Sequence, residues 1–154
     1  MFTAPTLFRA SLLATALVIA GCGAAPMMSS SAPMTMSTQS FRATLSAAAE
    51  VPSNASPGTG TLEATFDKGS NVLKWRVSYS GLTGAATMAH FHGPALPGAN
   101  AGVAVPFPSA ASPAEGSATL TPAQLADLMA GKWYVNVHTA QNPGGEIRGQ
   151  VLAN

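Results

Sequence analysis

The chain is poor in the residues that most directly signal disulfides or nucleic-acid binding. It has a single cysteine, so it cannot form an intrachain disulfide. Charged residues make up only 8% of its 154 residues, and the formal net charge is +1. No run of lysine or arginine occurs, although clustered positive charge is the usual footprint of nucleic-acid binding. We therefore predict a nearly neutral, disulfide-free protein with no nucleic-acid partner.

Sequence signatures of the common enzyme classes are also missing. No G-x-S-x-G elbow occurs, and Cys22 is the only cysteine that could act as a nucleophile. The glycine-rich stretches lack phosphate-loop spacing before a helix, and the carboxylates are too scattered to form a glycosidase pair. The question of an enzymatic activity stays open, but these absences favour a binding protein and indicate no catalytic residue.

The first residues have the pattern of a secretion signal. Arg9 precedes the apolar run 10–20, which is too short to span a membrane as a mature helix and fits a signal-peptide core. The run leads to Cys22, whose context is similar to a bacterial lipobox. We predict a lipoprotein signal peptide over residues 1–21, lipidation of Cys22 and attachment to the bacterial cell envelope, with Gly23 favouring the outer membrane. The alternative is an ordinary secreted protein that is cleaved nearby.

Residues 22–40 are small, polar and rich in methionine and serine, with no apolar period. This composition predicts a flexible tether between the lipid and a folded domain. Thioethers are soft ligands that favour Cu(I), so Met34 and Met36 are candidate auxiliary Cu(I) ligands. The alternative is a simple linker.

Residues 41–154 form one predicted domain of short alternating strands separated by Gly, Pro and Asn. This pattern is typical of an all-β sandwich or barrel. We predict an antiparallel, Greek-key-like β-sandwich or barrel with one short helix. The predicted strands are 41–46, 62–66, 73–79, 88–92, 103–107, 133–139 and 146–152, with a hairpin turn at 67–71 and another at 141–145.

The short helix is predicted from its end signals. Thr121 is suited to the N-cap, Pro122 to the first helical position, and Gln124 completes a capping box. Gly131 lies where a C-terminal cap is expected. We interpret this helix as a structural connection between strands.

The three histidines of the chain are confined to two predicted strands. His90 and His92 are two residues apart, so their side chains project from the same face of the strand. His138 lies on the more polar face of the 133–139 strand, where a site could open to solvent. If these two strands are neighbours, three imidazoles can meet, and three neutral imidazoles suit copper, zinc or nickel. The alternative is that the histidines serve internal hydrogen bonds only.

Four residues near the histidines are candidates for orienting the metal ligands or supplying a fourth one. Tyr134 and Asn136 share the strand face of His138. Glu146 and Arg148 are predicted to share one face of the last strand, and Glu50 is the other isolated acid. A carboxylate can fix the tautomer of a metal-bound histidine. Water or a methionine is an alternative fourth ligand, and a structural ion pair is an alternative role for the charged residues.

Five motifs stand in a distinctive order and spacing along the predicted domain: Phe41–Leu45, Glu50–Pro52, Ala89–Gly93, Tyr134–Thr139 and Gly145–Gln150. Together they closely resemble the CHRD domain, a module named from chordin and widespread in bacterial secreted proteins. The resemblance covers residues 41 to about 152. It implies an extracytoplasmic β-rich module without a settled biochemical function.

A weaker resemblance links the H-x-H strand to the copper site of copper/zinc superoxide dismutases. It implies copper held by His90 and His92, with His138 as a third ligand. The chain departs from that pattern because it has no disulfide pair, no zinc loop and no fourth histidine. Our leading prediction is therefore a lipid-anchored protein that binds copper, with zinc as the alternative metal and no identified protein partner. A metal-free adhesive module and a copper-only dismutase-like enzyme are the alternative functions.

Overall fold

The computed structural model describes residues 37–154. The predicted signal peptide, Cys22, Met34 and Met36 lie outside the described residues, so these predictions stay predictions. Within residues 37–154, no helix is long and apolar enough to cross a membrane.

The described chain folds into a single eight-stranded antiparallel sheet that curls into a nearly closed barrel. Its strands follow the order β5-β4-β7-β8-β1-β2-β3-β6, so the predicted all-β class is confirmed. A 3₁₀ turn, Ala47–Ala49, follows β1. The elements are β1 Thr38–Ser46, β2 Thr59–Asp67, β3 Val72–Ser80, β4 Ala86–His92, β5 Val103–Pro106, β6 Ala114–Thr119, α1 Pro122–Met129, β7 Trp133–Thr139 and β8 Ile147–Ala153.

The apolar alternation of the strands builds the barrel interior. In β3, Leu73, Trp75 and Val77 are buried while the residues between them face outward. The Trp75 ring stacks on Phe107 and meets Phe91 edge-on, with centroid separations of 4.8 and 5.2 Å. Because Phe91 points into this core, its neighbours His90 and His92 project from the outer face of β4.

The helix α1 has the caps that the sequence predicts. Thr121 accepts a hydrogen bond from the Gln124 N–H, and the Gln124 side chain accepts one from the Thr121 N–H in return. Gly131 adopts a φ of +66°, which favours glycine and ends the helix. Leu128 anchors the helix in the core.

The sequence does not predict β6, whose residues are mostly small and polar. This strand pairs with β3, and its Gly116 lies directly against the indole ring of Trp75. A side chain at Gly116 would overlap that ring, so the residue that weakens the strand pattern is required by the packing. Arg76 and Glu115 form an exposed ion pair across the two strands.

Strand β7 differs from the expectation that its polar face opens to solvent. All seven of its residues are buried. It lies between β4 and β8. Backbone of Ala101, in the loop between β4 and β5, and of Pro143, in the loop between β7 and β8, contacts its outer face. Asn136 and His138 are consequently only 2% and 6% exposed. The polar face of β7 therefore forms an enclosed polar layer outside the barrel core.

Candidate metal centre

The three histidines meet on the outer face of β4 and β7. These strands are antiparallel neighbours, with His90 opposite Asn136 and His92 opposite Tyr134. One ligand nitrogen from each of His90, His92 and His138 lies within 4.8 Å of the other two. The predicted convergence of three imidazoles is present in the structure.

The spacing of these nitrogens suits a single metal ion. Imidazole nitrogens bind zinc or copper at about 2 Å, so two nitrogens on one ion lie about 3 to 4 Å apart. His90 Nδ1 and His138 Nε2 are already 3.2 Å apart. With the widest separation at 4.8 Å, small side-chain rotations bring all three nitrogens into range.

Backbone carbonyls set the tautomer of two of the three rings. His138 Nδ1 lies 2.9 Å from the Pro143 oxygen, and His92 Nδ1 lies 3.0 Å from the Ala101 oxygen. A carbonyl can only accept, so the Nδ1 atom of each neutral ring carries the proton. Each Nε2 then keeps a lone pair directed toward the centre. This is how metal-binding histidines are commonly oriented.

The Nε2 atom of His92 is buried and has no hydrogen-bond partner among residues 37–154. A buried polar atom left in this state costs roughly 1–3 kcal/mol. A metal ion bound to the lone pair would satisfy it. This unpartnered nitrogen therefore keeps a lone pair available to a ligand at this position.

The rings of His90 and His138 favour their neutral forms. Burial lowers the pKa of His90 below its ordinary value, and the neighbouring His138 and His92 lower it further. Burial also lowers the pKa of His138, with the Pro143 carbonyl opposing the shift. Neutral imidazole is the form that binds a metal, so protons compete weakly for these rings at neutral pH.

The ring of His92 packs against the ring of Tyr134, which in turn packs against Arg148. The Tyr134 ring is parallel to the His92 ring, with centroids 4.8 Å apart and planes 2° from parallel. The Arg148 guanidinium carbon lies 3.3 Å from the centroid of the Tyr134 ring. Arg148 also donates to the Ala99 oxygen and to Asn100 Oδ1, at 2.6 and 2.9 Å. This stack restricts the plane in which His92 can present its nitrogen.

Glu146, which the sequence predicts near the histidines, has other partners. Its carboxylate accepts hydrogen bonds from Ser56, Thr139 and both the N–H and hydroxyl of Thr83. It is outside the histidine group among the described residues. Although burial opposes the shift, these hydrogen bonds lower the pKa of Glu146 to about 2. Glu146 therefore has other partners in this structure, and its role as a metal ligand or histidine partner stays a prediction.

The position of Glu146 just before β8 explains why its carboxylate has these partners. Glu146 precedes β8, which begins at Ile147, so the alternation of an extended strand does not apply to it. Its carboxylate turns toward Thr139 on the core-facing side of β7. Arg148 lies within β8 and faces the opposite way, toward Tyr134.

A second buried carboxylate, Glu50, follows the 3₁₀ turn and lies beside Asn136. Glu50 is 6% exposed, and its Oε1 atom has no hydrogen-bond partner within residues 37–154. Burial raises the pKa of Glu50 to about 7, against the opposing effects of Arg148, the Val51 N–H and the Asn136 side chain. The sequence marks Glu50 only as an isolated acid, because its contact with β7 depends on the folded chain.

Met88 lies at the open edge of the centre. It is two residues before His90 on the same strand and is paired with His138 across the sheet. Residues paired in this way point to the same face. Its side chain is 48% exposed, so a thioether is available beside the histidines.

These observations define a β-barrel with a three-histidine candidate metal centre on its outer face. The sequence profile of the CHRD domain matches residues 41–151. The chain therefore belongs to the CHRD domain family, as its motifs predict. No curated protein and no solved structure gives a significant match to the chain.

Proposed function

We propose that this CHRD domain binds a transition-metal ion, with copper as the first candidate, through His90, His92 and His138. The observation that supports this most strongly is the buried Nε2 lone pair of His92, which no described group satisfies. It lies in one cluster with the nitrogens of two other neutral rings. Tyr134, Arg148 and Asn136 would orient the ligands.

Copper is favoured over zinc by the donor set. Imidazole nitrogens bind both metals, but Cu(II) forms the stronger complexes with a given nitrogen site. The exposed thioether of Met88 adds a soft donor at the edge of the centre, and soft donors favour Cu(I). Zinc remains the alternative because three neutral histidines also suit it.

The cellular setting that we propose rests on the sequence alone. A signal peptide over residues 1–21 and a lipid on Cys22 would anchor the protein in the cell envelope, with the outer membrane favoured. The part of residues 22–40 that precedes β1, which begins at Thr38, would tether the domain, and Met34 and Met36 would serve as auxiliary Cu(I) ligands. The role would be copper binding or handling, with a metal-donor partner still to be found.

The direct test is titration of the purified chain with Cu(II) and Zn(II), followed by metal analysis. We expect one copper ion per chain. The His90→Ala/His92→Ala double substitution should lower copper affinity by at least about 100-fold, since it removes two of three ligands. Thr65→Ala is the matched control, because Thr65 is exposed on β2, away from β4 and β7 in the sheet order. Equal copper binding by the double variant would refute the site.

A metal-free structural module is the second candidate, and one observation favours it. The histidine contacts to the Pro143 and Ala101 carbonyls already tie two loops to the sheet. In that case the double substitution would lower the free energy of unfolding, and the wild-type chain would show no stoichiometric metal binding.

A further inference from the structure

The contacts of His138 raise a question about the neighbouring Asn136. His138 Nδ1 lies 2.9 Å from the Pro143 oxygen, and His138 Nε2 lies 2.9 Å from Asn136 Oδ1. A neutral imidazole has one N–H group, so the ring can donate a hydrogen bond in only one of these two contacts. The Pro143 carbonyl cannot donate, whereas an asparagine amide can turn its NH₂ group to face the ring. A neutral His138 by itself would therefore favour the opposite amide orientation.

Glu50 is placed to hold the amide as the structure shows it. A Cβ atom built on Gly145 would overlap Glu50 Oε1 and lie 2.7 Å from Asn136 Nδ2. Both polar atoms therefore converge on the space that the missing side chain of Gly145 leaves open. Burial raises the pKa of Glu50 to about 7, so the group is mostly ionised at pH 8. An ionised carboxylate accepts hydrogen bonds but cannot donate them, so the amide group that it stabilises nearby at this pH is the NH₂.

The Arg148 guanidinium lies near Glu50 but already donates hydrogen bonds to other groups. Arg148 approaches closely enough to stabilise the carboxylate charge. Its two terminal nitrogens, however, donate to Ala99 and Asn100. The Val51 N–H and the Asn136 side chain both lower the pKa of Glu50. Since Glu50 Oε1 has no hydrogen-bond partner in the described part of the chain, the Asn136 amide is the side-chain donor available to it.

We propose that Glu50 is a positioning residue of the metal centre, which binds the NH₂ group of Asn136 and thereby keeps that group away from the Nε2 lone pair of His138. Without Glu50, the Asn136 amide rotates so that its NH₂ group donates a hydrogen bond to His138 Nε2. The NH₂ group then competes with the metal for that lone pair. This inference rests on the proposed metal-binding function. It assigns Glu50 a role that acts through Asn136, without contact to the ion.

The test compares Cu(II) affinity at pH 8, where Glu50 is mostly ionised, in the purified full chain and its Glu50→Gln variant. Because glutamine can satisfy the Asn136 oxygen instead of its NH₂, we expect affinity to fall about 10- to 100-fold, the usual range when a partner of a metal ligand is lost. Glu63→Gln is the matched control, since Glu63 is exposed on β2, and it should bind copper as the wild type does. Unchanged affinity in Glu50→Gln would overturn the inference.

A double substitution separates this mechanism from a general loss of structure. Adding Asn136→Ala to Glu50→Gln removes the amide that competes for Nε2. The double variant should therefore bind copper more tightly than Glu50→Gln alone, which a merely structural role for Glu50 would not produce. Equal or weaker binding by the double variant would contradict the proposal.

Nitrogen NMR of the metal-free chain supplies a readout that does not require binding or a folded variant. The wild-type spectrum should show His138 protonated at Nδ1, with no hydrogen-bond coupling between the Asn136 NH₂ group and His138 Nε2. Detection of that coupling in the wild type would refute the role of Glu50. If instead the wild type shows the expected spectrum but binds no copper, the proposed metal function fails while the positioning of Asn136 stands.

Discussion

At the scale of single residues, the two buried carboxyl groups near β7 have opposite environments. Glu146 is surrounded by donors, which lower its pKa to about 2. Glu50 is buried with few donors, and burial raises its pKa to about 7. Both are glutamates in a weakly charged chain, so the sequence does not distinguish them. The number of hydrogen-bond donors that the fold supplies to each one makes the difference.

Replacing Glu146 tests whether its charged carboxylate stabilises the fold. We expect Glu146→Gln to lower the free energy of unfolding at pH 7 by about 2–3 kcal/mol, because hydrogen bonds to a charged group are lost. Its folded pKa lies below the ordinary value of 4.5. Its contribution is therefore complete above pH 4.5 and is lost as the pH falls toward 2.

Urea unfolding at pH 7 and pH 3 measures this effect. The stability difference between the wild type and Glu146→Gln should narrow at pH 3. The exposed Glu63→Gln variant should match the wild type at pH 7. A difference that is the same at both pH values would show that Glu146 does not act through its charge.

At the scale of elements, the sequence predicts the strand faces and the helix caps well because these depend on local order. The alternation in β3, the H-x-H face of β4 and the capping box of α1 all appear as predicted. The burial of both faces of β7 could not be predicted, because it depends on loops from elsewhere in the chain. The sequence does not predict β6, because Gly116 weakens its strand pattern. The folded chain requires glycine there because a side chain would overlap the ring of Trp75.

The turn between β7 and β8 provides a matched pair of substitutions. Gly145 has a φ of +129°, and a Cβ atom there would overlap Glu50 Oε1. We expect Gly145→Ala to lower the free energy of unfolding by about 2–3 kcal/mol through backbone strain and this overlap. Copper affinity should fall as well, because Asn136 loses its position.

Gly144→Ala is the control, since no atom lies within 4 Å of a Cβ atom built at Gly144. Thermal unfolding and copper titration of both variants make the comparison. Equal effects of the two substitutions would contradict the account of this turn.

At the scale of the whole molecule, three strands and two loops combine to make the centre. The histidines come from β4 and β7, Arg148 from β8, and the covering carbonyls from Ala101 and Pro143. The sequence predicts the ligands because all three histidines occur in two strands. It does not predict Glu50 as a neighbour of Asn136, because that contact depends on the folded chain.

The envelope attachment also belongs to this scale. We expect the wild-type chain, expressed in a bacterial host, to incorporate labelled palmitate and to sediment with membranes. Cys22→Ser should abolish both, because Cys22 is the only cysteine and a lipid anchor requires it. Soluble, unlabelled wild-type protein would contradict the lipoprotein proposal and leave metal binding untouched.

A crystal structure of the copper-loaded chain is the decisive test of metal binding by the three histidines. We expect one ion bound by His92 Nε2, His138 Nε2 and a nitrogen of His90, each at about 2 Å. The Nδ1 contacts to Ala101 and Pro143 should persist, with the Asn136 oxygen still facing His138. Copper bound elsewhere, or histidine rings that keep only their internal hydrogen bonds in the presence of copper, would contradict it.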